Sequence, residues 1–150
     1  MIVHCWSVLC NRSLIDKETN NVTLIDVLEQ FQFQIKGDLT PPLPWSMELV
    51  TLWSRDNLDQ KEKRAARVTF FSPSNKVIAD VIPYQVDLTV YRRNRSRLRI
   101  EGLPPLKESG QYYFLIELEG DFEDKWTEVT RIPVDVLITK IEETAPTNNP

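Results

Sequence analysis

The chain has 150 residues with 18 basic and 22 acidic side chains, a formal net charge of −4, and only four glycines and two cysteines. One domain of this length can bury about 68–70% of its unfolded surface, so neither a metal nor a disulfide is needed as a staple. The near balance of charge draws no class of partner overall, and no segment approaches the ~20 apolar residues that span a bilayer.

The first residues, Met1-Ile2-Val3-His4-Cys5-Trp6, show no basic leader, no apolar run of signal-peptide length and no small-residue cleavage site. Cys5 and Cys10 stand at odd spacing, on opposite faces of a continuous strand, so free thiols in a cytoplasmic protein are expected. Residues 2–10 predict a first strand, and the turn-prone residues 16–21 reverse it. In the return, Ile25, Val27, Phe31, Phe33 and Ile35 share one parity, with Asp26, Gln30, Gln32 and Gln34 on the other. That alternation predicts one half-buried strand. Leu24, Ile25, Leu28 and Phe31 also fit a helical stripe, but the period of two runs longer and β-branched residues open the segment.

Three prolines stiffen the loop over 36–44, after which Trp45, Met47, Leu49 and Trp53 line one side of the next strand. The charged run over 55–63 carries Leu58 as its single apolar residue and reads as a solvated loop or one or two helical turns. Ala66, Val68 and Phe70 resume the alternation, and Ser72-Pro73-Ser74-Asn75 makes a tight turn into a strand from Val77. Tyr84, Val86, Leu88 and Val90 form an inward row. Leu98 and Ile100, then Tyr112, Phe114, Ile116 and Leu118, then Ile132, Val134, Val136 and Ile138 complete the set. Pro133 points away from the core and marks an edge or a bulge. A domain over 1–142 and a disordered tail over 143–150 follow, with seven to nine strands in all.

Residues 98–114 carry two inward aliphatics, Leu98 and Ile100, then a Pro-Pro loop, then Glu108-Ser109-Gly110-Gln111-Tyr112. This resembles the E–F corner of immunoglobulin-like domains. The resemblance implies an all-β, two-sheet antiparallel sandwich in which the Tyr112 hydroxyl bonds back to the corner backbone. It also implies that Phe114 occupies the place of the second core cysteine, so no disulfide is expected, and that Trp53 or Trp45 is the core tryptophan. Over its full length the chain is similar to a bacterial family of single-domain proteins without an assigned activity. The similarity lies in Asp16, the stretch Asn20-Asn21-Val22-Thr23-Leu24-Ile25-Asp26-Val27 and the closing Gly110-x-Tyr112 with Gly120; Asp26 stands where that pattern has a glycine kink.

Two charged sets stand out. Arg92, Arg93, Arg95, Arg97 and Arg99 are half of the arginines, and in a strand the last four share one face at about 6.5–7 Å spacing. Such a row can follow the phosphates of a single-stranded nucleic acid or another anionic polymer. The plainer reading is charge that guards an exposed strand, since only Tyr91 supplies a neighbouring ring. Glu117, Glu119, Asp121, Glu123, Asp124 and Glu128 form an acidic set. In the implied topology the two sets lie on opposite outer faces, giving a polarised molecule suited to head-to-tail association or two partners.

Catalytic patterns are missing from the sequence. One histidine must serve every serine and cysteine, no serine lies in a glycine-bounded elbow, and the carboxylate pairs Glu117/Glu119 and Glu142/Glu143 have polar neighbours. His4, Cys5 and Cys10 lack zinc-site spacing, and Asp121, Glu123 and Asp124 lack an EF-hand's glycine and ligand positions, so no metal or cofactor is expected. The expected function is a non-catalytic module that binds another protein or further copies of itself, with no membrane partner. Nucleic-acid binding by the arginine strand is the first alternative, and a hydrolase with its site in the loops over 54–64 and 121–124 is the second.

Overall fold

The period-two rows become nine strands in a computed structural model, which describes residues 1–37, 46–57, 59–122 and 125–141. They are β1 (Ile2–Ile15), β2 (Val22–Val27), β3 (Gln30–Lys36), β4 (Ser46–Arg55), β5 (Lys63–Phe71), β6 (Val77–Asp87), β7 (Arg93–Glu101), β8 (Gly110–Glu119) and β9 (Trp126–Ile141). One sheet has the order β2-β1-β4-β7 and the other β3-β9-β8-β5-β6. The β1-β4-β7 and β9-β8-β5-β6 orders correspond to the A-B-E and G-F-C-C′ strands of an immunoglobulin-like sandwich. Both cysteines are free thiols, Cys5 exposed and Cys10 buried.

The core is closed by rings rather than by a bridge. Phe114 is buried and stacks on Phe70 with ring centroids 4.3 Å apart, while Phe70 stacks in turn on Tyr112 at 5.6 Å. From the opposing sheet come Leu9, Met47, Leu49 and the fully buried Trp53. Trp53 is thus a core tryptophan, and Trp45 lies outside the described residues. A fully buried Phe, Leu or Met contributes about 1.5–3 kcal/mol relative to exposure, so this interlayer holds the sandwich without a covalent tie. At the corner between β7 and β8, Tyr112 Oη donates to the Glu108 carbonyl at 2.9 Å, and Leu103 and Leu106 are buried beneath the connection.

Several expectations need correction. The sandwich is not wholly antiparallel, because β3 pairs with β9 in parallel over Gln30↔Asp135 to Lys36↔Ile141. The predicted single return strand is two: β2 stays with β1, then the chain crosses at Leu28 and Glu29 and continues in the same direction beside β9. Asp26 has φ of +52°, so it takes up the left-handed kink for which a glycine was expected. The kink breaks the parity, leaving Ile25 and Val27 exposed while Phe31 and Ile35 are buried. Residues 24–31 are therefore strand, crossing and strand, with no helical stripe.

The inward row of β6 ends at Leu88, because the Asp87 carboxylate accepts from Thr89 N and Oγ1 at 3.0 and 2.6 Å and turns the chain; Val90 is exposed. Arg55, placed in the solvated run from sequence, is buried as the last residue of β4. Pro133 lies in an interior strand opposite Tyr113, just before β3 begins to pair at Asp135, where its other side needs no donor. The predicted tail over 143–150 lies outside the described residues.

Candidate functional site

Strand direction brings three connections to one end of the sandwich. Ser54 pairs with Arg93, Lys63 with Asp87, and Glu119 with Trp126, so the described residues of three loops, 56–57 with 59–62, 88–92, and 120–122 with 125, lie at the same end. They are pinned from below. The buried Arg55 donates through Nη1 to the Leu88 carbonyl at 3.0 Å, and its backbone N–H donates to the Arg92 carbonyl at 3.1 Å. Leu88 N–H donates to the Glu62 carbonyl at 2.9 Å. Arg64 joins two loops: Nε contacts Glu62 at 2.5 Å, while Nη2 reaches Asp121 at 2.6 Å and Nη1 the Glu119 carbonyl at 3.1 Å.

On this platform stand Tyr91, Val90 and Phe122, at 74%, 73% and 69% exposure the three most exposed large apolar side chains among the described residues. Arg92 and Arg93 follow Tyr91, are exposed, and make no ion pair among the described residues. Lys125 Nζ sits 4.9 Å from the centre of the Phe122 ring. The apolar pattern alone places Val90 at the end of a core row and gives no signal for Phe122, which stands among acidic residues.

Arg93, Arg95, Arg97 and Arg99 stand on β7 of one sheet and Glu117 and Glu119 on β8 of the other, with Arg92 before β7, Asp121 after β8, and Glu128 on β9 bonded to Arg131 at 2.8 Å. Most of their described members are held by other groups, Arg92 and Arg93 excepted. Glu117 takes two bonds from Arg67, at 2.6 and 3.1 Å, and that guanidinium lies 4.3 Å from the Trp126 ring centre. Glu119 accepts from Ala65 N–H at 3.1 Å and Asp121 is held by Arg64, while Glu123 and Asp124 lie outside the described residues.

In the arginine row, Arg95 Nη2 donates to the Asn20 carbonyl at 3.1 Å and Arg97 Nη2 to the Ser13 carbonyl at 3.2 Å and to Glu48 at 3.3 Å. Both side chains thus reach the part of the β1–β2 hairpin that has left β4, whose pairing with β1 ends at Cys10↔Glu48. Arg99 is paired with Glu101 at 2.6 Å and Ser46 at 3.0 Å. Val50, between Val8 and Arg97 in register, is fully buried on this outer side. The middle of the row clamps the chain's own hairpin instead of forming a continuous phosphate track.

A polar chain missed in the sequence runs from the half-buried His4. A bulge at Cys5 turns both His4 and Ser7 inward despite their opposite parity. His4 Nε2 lies 2.7 Å from Ser7 Oγ, which donates to Thr51 Oγ1 at 3.0 Å. Burial lowers the His4 pKa, and burial pushes that of the nearby Tyr84 hydroxyl far up. Among the described residues no three His, Cys, Asp or Glu side chains converge to hold a metal.

No helix among the described residues is long and apolar enough to cross a membrane. Compared with known proteins, the chain matches no family model and no curated sequence.

Proposed function

We propose that the chain is a non-catalytic protein-interaction module of a reducing cytoplasm, and that its contact surface is the loop end bearing Val90, Tyr91 and Phe122. The observation that carries this reading is the placement of the three most exposed large apolar side chains among the described residues on one hydrogen-bonded platform. Loops already ordered by Arg55 and Arg64 lose little freedom on association, so apolar contact is offset by a smaller entropic cost. A tyrosine beside two arginines has the composition of an interface anchor, and the positive charge of Arg92 and Arg93 favours an acidic rim on the partner. The unbridged, exposed Cys5 agrees with a reducing compartment.

The test uses a Tyr91→Ser/Phe122→Ser variant, which removes exposed rings and is expected to leave the melting temperature unchanged. A partner captured by the unaltered chain is expected to bind the variant at least about tenfold more weakly, as for the loss of an anchor residue. Equal binding by both proteins contradicts the proposal. Light scattering decides whether the partner is a second copy: a dimer that dissociates in the variant places self-association at the loop end, and a dimer indifferent to it places the interface elsewhere and contradicts the assignment.

A further inference from the structure

At the other end of β7, on the outer face, a cleft of about 590 Å³ opens between the outer part of β1 and the strands β4 and β7. Three guanidinium groups line it: Arg12 from β1, and Arg97 and Arg99 from β7. Arg12 is exposed and its side chain makes no hydrogen bond or ion pair among the described residues. Arg97 uses Nη2 alone, leaving Nε and Nη1; Arg99 uses Nε alone, leaving both Nη groups. The one carboxylate in the wall, Glu48, is turned onto Ser13, accepting from its N–H at 2.9 Å and from its hydroxyl, and onto Arg97. Glu101 holds Arg99 at Nε. The lining and its ion partners thus carry three positive charges against two negative charges.

Three planar donor forks approaching from two strands exceed what one planar carboxylate can accept, whereas a tetrahedral dianion has three oxygens to share among them. Leu14 and Ile15 form an apolar wall beside the forks and are partly exposed. We infer that this cleft binds a small phosphate monoester dianion, its phosphate held by Arg12, Arg97 and Arg99 and its organic part lying against Leu14 and Ile15. The site is remote from the loop end and independent of the reading given for that surface.

Isothermal titration calorimetry of the full chain with phenyl phosphate, inorganic phosphate and acetate tests it. Phenyl phosphate is expected to bind about fivefold more tightly than inorganic phosphate, from apolar contact. Acetate is expected not to bind at the same concentrations. Arg12→Gln, at an exposed position, is expected to weaken phenyl phosphate by about tenfold, the effect of one charge-assisted contact, and Arg99→Gln by a similar factor. In amide NMR spectra of the unaltered protein, phenyl phosphate is expected to shift the Ser13, Leu14 and Arg97 signals, which needs no variant to fold. No heat with phenyl phosphate at millimolar concentration, unchanged affinity in Arg12→Gln, or shifts confined to Arg92 and Arg93 overturns the inference. So does displacement by an oligonucleotide without a terminal phosphate, which points instead to the internal phosphates of a polymer.

Discussion

The Tyr112 hydroxyl and the Glu108 carbonyl meet at 2.9 Å, four residues apart across the turn that carries the chain from one sheet to the other. The ring is fully buried, and the bond ties its polar end to the corner backbone. Tyr112→Phe keeps the packing and removes the bond. It is expected to lower stability by about 0.5–1.5 kcal/mol in urea unfolding, with an unchanged fold. A loss near zero means the hydroxyl does not lock the corner.

Gly110, two residues earlier, has φ of +142°, and a Cβ built there would stand 2.8 Å from Pro73 Cγ. Both the backbone conformation and the contact with the β5–β6 turn exclude a side chain. Gly110→Ala is expected to cost about 1–3 kcal/mol by the same measurement. Wild-type stability in that variant contradicts the close approach.

Glu48 ties the β1–β2 hairpin to the sheet. Burial alone raises its pKa, but bonds from Ser13 and Arg97 outweigh that effect and leave it below the ordinary value of 4.5. Its contribution to stability is therefore present above the ordinary value and lost as pH falls through the lower folded one. Glu48→Gln is expected to destabilise by about 1–3 kcal/mol at neutral pH, with the gap to the unaltered protein narrowing in acid. A gap that is constant with pH rules out the ionised carboxylate as its source.

His4 titrates with the same sign on the pH axis for a different reason. Burial against Trp53, with ring centroids 5.3 Å apart, holds its pKa below the ordinary 6.5. The unfolded chain then takes up a proton at higher pH than the folded one. Stability is full above the ordinary value and declines as pH falls towards the lower folded one. Between about pH 7 and about pH 5, the urea midpoint of the native protein is expected to fall more steeply than that of His4→Gln. Parallel slopes contradict a buried, neutral imidazole.

Much of the architecture was legible because burial alternates cleanly where both ends of a strand stay in one sheet. Tyr112, Phe114 and Ile116 face the core as their parity predicts, and the corner motif located the bend. Parity failed where the backbone broke period: at Asp26, whose positive φ separates β2 from β3, and at Cys5, whose bulge brings His4 and Ser7 to one face. The charged sets were found but their partners were not. Arg67 and Glu117 are 50 positions apart and meet only through the β5–β8 register, and Arg12 joins the β7 arginines only because β1 outruns β4. Exposure of Val90 likewise depends on the turn made by Asp87 and Thr89, which ends the strand earlier than the apolar pattern does.

Hydrogen exchange on the complex with the captured partner tests the loop-end assignment most directly. Protection is expected to fall on amides of 56–57, 59–62, 88–92, 120–122 and 125, leaving the outer faces of both sheets at their free rates. Protection confined to the β2, β3 or β6 edges, or to the outer face of β5 and β8, contradicts the assignment of binding to the platform held by Arg55 and Arg64.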